Sequence, residues 1–166
     1  IWQKIEREIL YYFPKTRFSD QLDVHHNYAA LEGHMGQNVW IHRKGATSAK
    51  EGELGIIPGN QSSASYITRG KGNIKSFMSS SHGAGRAMGR NDACKRLNAD
   101  EELKKMGNVD FKGFGSTTLK VDGEKKSFTD LGEAPGAYKD ISVVMAQQSD
   151  IVDIVMELHP LVNIKG

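Results

Sequence analysis

The chemistry open to this 166-residue chain rests on six histidines, one cysteine and several runs that mix hydroxyl, basic and glycine residues. The sharpest run is Ser79-Ser80-Ser81-His82-Gly83-Ala84-Gly85-Arg86. It delivers a histidine from a polar loop to a glycine-rich stretch, and Arg86 follows with a planar, always-charged fork of donors. Read as the start of a helix, Gly83 onward offers free N–H groups and a dipole that favour an anion beside His82. An imidazole nitrogen there is placed to attack phosphorus while the phosphoryl charge is held. The same run also fits a histidine that only caps a helix.

Four further runs carry weaker signals. In Val24-His25-His26-Asn27-Tyr28 the adjacent histidines face opposite sides of a strand, or lie ~100° apart on a helix. At most one of them joins a given metal, and both also fit as ordinary hydrogen-bonded side chains. His42-Arg43-Lys44-Gly45-Ala46-Thr47 follows the apolar Val39-Trp40-Ile41. A strand leading into a basic loop with a glycine suits phosphate contact, and equally suits a solvated turn. The run from Pro58 to Tyr66 places small polar residues, Ser65 among them, where a nucleobase or sugar could be bonded; an ordinary turn explains it as well. The last segment, Leu161 to Gly166, leads an apolar pattern into Lys165. Cys94 reads as a small buried side chain.

The elements that must position these residues read as follows. Ile5, Ile9, Leu10 and Phe13 predict a helix ended by Pro14. Leu22 to Leu31 is read as a second helix. Val39–Ile41, Leu54–Ile57 and Ser65–Thr68 predict strands. A helical pattern spans Gly83 to about Lys105 and stops at Gly107-Asn108. Lys112 to Ser127 predicts one or two strands turning at Asp122-Gly123. Asp140 caps a short helix, and Ile151 onward predicts a strand running to the C-terminus. The fold class is α+β, with short strands in mixed sheets flanked by helices.

Composition narrows the functions. The chain has 22 basic and 20 acidic residues, net +2, which writes no strong bulk attraction to nucleic acid. Mean hydropathy is -0.50, and no apolar run is long enough for a membrane helix. A single cysteine excludes an internal disulfide framework and a multi-cysteine zinc site. The first residues form an amphipathic pattern unlike a signal peptide. The chain opens on Ile1, so the natural protein is expected to begin earlier.

Singly these runs are weak; in this order they are specific. HHNY, VWIHRKGATSA, GIIPG followed by ASYI, SHGAGRAM, EAPGAYKD and the terminal NIKG resemble the RtcB family of RNA-splicing and RNA-repair ligases. The resemblance runs from about Asp20 to Gly166 and implies that residues 1–166 form the C-terminal part of a single ligase domain. It implies a cytoplasmic enzyme that joins an RNA 2′,3′-cyclic phosphate or 3′-phosphate end to a 5′-hydroxyl end, using GTP and manganese through a histidine–GMP intermediate. tRNA halves or other cleaved RNAs would be the substrates, with any activating protein partner left open.

Carried over by motif, His82 is the histidine that takes GMP and His26 is a manganese ligand. Asn27 touches the nucleotide phosphate. Arg43 and Lys44 face phosphates of GMP or RNA, and Arg86 joins them. Ser65 and Lys165 contact guanine, Tyr138 packs near the base, and Ala84 and Gly85 give backbone contacts near ribose and phosphate.

Two departures stand out. After Pro58-Gly59 the family reads Ser-Met-Gly, whereas this chain has Asn60-Gln61-Ser62, a departure that bears on the base contact expected at Asn60 and motivates an alternative reading of a divergent paralogue repairing a particular cleaved RNA. The family also draws an Asp, a Cys and two further histidines for metal from its N-terminal half, and none of these is matched here. His25, His34, His42 and His159 stay unassigned. A non-catalytic module binding guanine nucleotide or RNA is the alternative.

Overall fold

The computed structural model describes residues 2–18 and 21–164. Lys165, expected at the guanine, lies outside the described residues. Helix α1 spans Trp2–Tyr12, stopping two residues before Pro14 as expected. The remaining residues build small sheets rather than one large one. Strands β1 (Asn27–His34) and β2 (Gln37–Lys44) form an antiparallel hairpin. Its turn, Met35-Gly36, has both residues at positive φ, which matches the right-handed twist of the two strands.

The expected helix over Leu22–Leu31 is therefore corrected. Residues 21–26 carry no regular structure and β1 begins at Asn27. The reason is a period of two. Tyr28, Ala30, Glu32 and His34 turn inward while their neighbours stay exposed, a pattern that only a strand satisfies.

The central sheet has the order β10-β5-β4, from Val152–Leu158, Ser65–Gly70 and Leu54–Ile57. Both neighbours of β5 run antiparallel to it. Ala49, Ile57, Tyr66, Ala84, Ile141, Met145 and Val152 make the core between this sheet and helix α4 (Ile141–Ala146). Asp140 caps α4 as expected, accepting from the Ser142 N–H at 2.8 Å. Strands β3 (Ala46–Ser48) and β6 (Ser79–Ser81) form a separate pair.

The expected helix from Gly83 is also corrected. Residues 83–89 form bends and an isolated bridge between Arg86 and Tyr138. Helix starts only at α2 (Arg90–Arg96), and α3 (Ala99–Met106) follows. Gly83, Gly85 and Gly89 cost helix propensity, and Gly85 sits at φ +72, outside the helical region.

Strand β7 (Asp110–Phe111) comes next. Then β8 (Ser116–Val121) and β9 (Glu124–Thr129) form the hairpin expected at Asp122-Gly123, both at positive φ. The strand expected to run to the C-terminus ends at Leu158. A separate β11 (Val162–Asn163) pairs in parallel with β7.

Candidate functional site

His82 follows β6 directly, and its ring meets that of His26, which precedes β1. The two imidazoles stack with centroids 5.7 Å apart and planes 11° from parallel. Both line one cavity of about 310 Å³ with Leu22, Asp23, Val24, Thr47, Ile56 and Pro58. Sequence reasoning placed His82 beside an anion-holding helix start. The structure removes that helix, so the charge of a bound group must be met otherwise. Lys44 is exposed and pairs with Asn27 on the last rung of the β1–β2 hairpin, next to His26. That rung adjoins His26 in the chain, and both of its side chains are exposed.

Several local features fix His82. Its N–H donates to the Gly45 carbonyl at 3.4 Å. A side chain at Gly45 would lie 3.7 Å from its ring, so the ring rests over a bare backbone held at φ +73. One residue back, the Ser81 N–H donates to Gln148 Oε1 at 3.1 Å, and Gln148 Nε2 returns a bond to Ser81 Oγ at 3.0 Å. On the other side the Ala84 N–H donates to the Pro58 carbonyl at 3.0 Å. Ala84 thus has no free amide for a ligand, and the Gly85 carbonyl is already taken by the Lys139 N–H. Ser65 Oγ accepts from the Gly59 N–H at 3.2 Å, and its hydroxyl proton is left to reach outward.

Arg43 does not face phosphates, and this expectation is corrected. Its side chain is 1% exposed and all five of its donors are used. Nη1 donates to Glu32 Oε1 at 2.7 Å and to the Tyr28 hydroxyl at 3.2 Å. Nη2 donates to Glu32 Oε2 at 2.9 Å and to the Phe77 carbonyl at 3.1 Å. Nε donates to Ser79 Oγ at 3.0 Å. The bonds from Arg43, against the opposing effect of burial, hold the Glu32 carboxyl down at about 2. His34 Nε2 lies 3.0 Å from the same carboxylate. Sequence reasoning missed Glu32 and Ser79, because a Glu in a strand reads as a solvated residue. The signal was the alternation of β1, which points Glu32 inward.

A second cluster holds Tyr138. Arg86 stacks 5.0 Å over its ring and donates from Nε to the Met88 carbonyl at 3.0 Å, from Nη1 to the Tyr138 hydroxyl at 3.3 Å, and from Nη2 to the Gly132 carbonyl. Nη1 also lies 3.2 Å from Glu133 Oε1, so every nitrogen of the guanidinium is engaged by its own chain. Tyr138 donates to Glu133, which also takes Arg90 Nε at 2.6 Å. Burial and the Glu133 carboxylate push the Tyr138 hydroxyl up. Burial raises the Glu133 carboxyl too, but bonds from Tyr138 and Arg90 outweigh it and hold the group below its usual range. The divergent loop is tied to this cluster. Asn60 Oδ1 accepts from the Ser62 and Ser63 N–H groups at 2.9 Å each, and Gln61 Nε2 donates to the Glu133 carbonyl at 2.7 Å.

The metal donor set of this chain does not fit manganese by itself. Among the described residues no group of three or more His, Cys, Asp or Glu is arranged to hold a metal ion. His26 offers one imidazole, whereas manganese takes a shell of nitrogen and oxygen ligands.

Comparisons of the sequence show what the chain is similar to. The family model described as tRNA-splicing ligase RtcB matches residues 1–166. The RNA-splicing ligase RtcB of Escherichia coli K12 is 39% identical over 153 residues, covering 92% of this chain and 34% of the relative. The RNA-splicing ligase RtcB homolog 1 of Entamoeba histolytica is 35% identical, over 87% of this chain and 30% of the relative. The RNA-splicing ligase RtcB of Mycobacterium tuberculosis is 32% identical, over 87% and 36%. The chain spans about a third of the length of these curated relatives. On the family match and these identities, the chain belongs to the RtcB family of RNA-splicing ligases.

Proposed function

We propose that this chain is the guanylate-accepting part of an RNA ligase of the cytoplasm, the C-terminal part of a single ligase domain. It would join RNA 2′,3′-cyclic phosphate or 3′-phosphate ends to 5′-hydroxyl ends with GTP, on tRNA halves or other cleaved RNA. The stacked His26–His82 pair over one cavity is the observation that carries this reading.

In the first step an unprotonated nitrogen of His82 attacks the α-phosphorus of GTP. A P–N bond forms, the bond to the bridging oxygen breaks, and pyrophosphate leaves. An oxygen of the RNA 3′-phosphate then attacks the same phosphorus, breaking the P–N bond and freeing His82. The 5′-hydroxyl attacks the activated 3′-phosphate, the phosphodiester forms, GMP leaves, and the hydroxyl proton passes to solvent. A cyclic phosphate must first be opened by water.

Lys44 and Asn27, on the rung next to His26, would meet phosphate charge and serve the first step by fixing the attacked phosphorus. Ser65 and Tyr138, with Lys165, would meet the base. Arg86 would add positive charge toward RNA phosphate, with its Glu133 partner offsetting part of it. Manganese, the family's metal, would gain from this chain the single ligand His26, and no step above is routed through it.

Labelled GTP incubated with the full-length protein and manganese tests the reading. Covalent label on the wild type and none on His82→Ala is the expected result. Label that persists in His82→Ala removes the nucleophile assignment. GTP binding without covalent label in the wild type favours the non-catalytic module.

A further inference from the structure

We propose that Arg43 is the positioning residue that sets the spacing of His26 and His82. The inference rests on His82 being the nucleophile. Tyr28 and Arg43 pair across the hairpin one rung on from Asn27–Lys44, the rung that adjoins His26. From this rung the Arg43 guanidinium reaches both β1 and the start of β6, which otherwise meet through Gly45 and the β3–β6 pair. Through Glu32 and the Tyr28 hydroxyl it holds β1, which carries His26 at its entrance. Through Ser79 Oγ and the Phe77 carbonyl it holds the start of β6, which carries His82 at its exit.

The second attachment falls where the chain most needs one. Phe77 and Met78 both stand at positive φ, +52 and +49, a conformation that side-chain-bearing residues adopt at a cost. Two such residues in succession do not persist unless the surroundings hold them. Arg43 fixes Phe77 by its carbonyl. Ser79 Oγ donates to that carbonyl at 3.0 Å while accepting from Arg43. Further along, Thr47 Oγ1 and Ser80 Oγ lie 3.2 Å apart and Ser81 meets Gln148, so a placement set at Phe77 passes along three paired residues to His82.

A point charge would not do the same. The guanidinium offers donors in fixed directions, and each is spent on a different group or a different oxygen. Arg43 is the one buried residue of β2. Its pairing with Glu32 removes the charge from consideration, and the geometry remains.

The experiment uses the full-length protein. Ser79→Ala removes the side-chain bond from Arg43 to β6 while leaving the Glu32 pair intact, and Ser79→Thr restores a hydroxyl. Ser79→Ala is expected to slow GMP transfer to the protein roughly tenfold at saturating GTP, the scale on which small misplacement of reacting groups acts. KM for GTP and the thermal midpoint stay at wild-type values. The imidazole NMR resonances of His26 and His82 shift in Ser79→Ala and return in Ser79→Thr. Wild-type rate and wild-type resonances in Ser79→Ala overturn the proposal. A rate loss that follows a fall in the thermal midpoint overturns it as well, since it assigns Ser79 a structural role alone. If the wild type takes up no label, the nucleophile reading falls instead, and the resonances still decide whether Arg43 sets the spacing.

Discussion

Glu32 and Arg43 together show how a single buried pair constrains what the site can be. Removing one member of such a pair strands the other charge in the interior, at a cost of roughly 3–5 kcal/mol. Glu32→Gln should lose that much stability by urea denaturation at neutral pH. The pair also gives a pH dependence of defined sign. The Glu32 carboxyl sits at about 2 in the fold, against 4.5 for the ordinary group, chiefly because Arg43 bonds its charged form. The stability it contributes is therefore complete above 4.5 and drains away as pH falls toward 2. The gap between wild type and Glu32→Gln should be constant above about pH 5 and should close between 4.5 and 2; a gap that stays constant to pH 2 contradicts the assignment. His82 presents the opposite case. Among the described residues its ring is stacked on His26 rather than hydrogen-bonded, while its backbone is tied to Gly45, and neighbouring Ser81 and Ala84 to Gln148 and Pro58.

Gly45 links residue to element, because it ends β2, floors His82 and turns the chain into β3. At φ +73 it is a position that other residues occupy only under strain. A Cβ there would meet the His82 ring at 3.7 Å, an ordinary contact, so the cost of Gly45→Ala is in the backbone, about 1–2 kcal/mol. For a chain of this size that is a fall in thermal midpoint of roughly 2–8 °C, measurable by calorimetry; an unchanged midpoint contradicts it. The strands around this point were legible in the sequence because β-branched and aromatic runs bounded by glycine have few other uses. Val39–Ile41, Leu54–Ile57 and Ser65–Thr68 all lie inside observed strands, and the Asp122-Gly123 turn was readable from its turn chemistry. Two helices were misread for different reasons. Over Leu22–Leu31 the inward set of β1 includes Glu32 and His34, so its period of two was hidden by polar residues. From Gly83 the alanines and methionines suggested a helix that the glycines do not permit. The ordered motifs exposed the His26–His82 pair, whereas the knot under it stayed illegible, because nothing in a one-dimensional string tells that Arg43 and Ser79 meet.

Across the whole molecule the apolar residues are unevenly covered. The core is compact around Ile57, Tyr66, Met145 and Val152, yet Ile154, Val155 and Met156 are each about half exposed in succession. They lie on β10, an edge strand among the described residues, which pairs with β5 on one side only. An apolar edge with unpaired N–H and C=O groups is a template for another chain. The bulge between Ile154 and Met156 interrupts the ladder there and moderates this without removing it. Trp40 and the α1 residues Tyr11 and Tyr12 are exposed as well, and apolar surface of this extent favours association. The 166-residue chain on its own should therefore self-associate as its concentration rises through the micromolar range, read by sedimentation velocity. Val155 faces no partner residue in the ladder, so Val155→Lys charges the edge without breaking a strand pair. That variant should shift the chain toward monomer while its thermal midpoint stays within a few degrees of the parent. A parent that sediments as a monomer at every concentration would show that the β10 edge is not sticky; association that Val155→Lys leaves unchanged would move the contact away from β10 and toward α1 or Trp40.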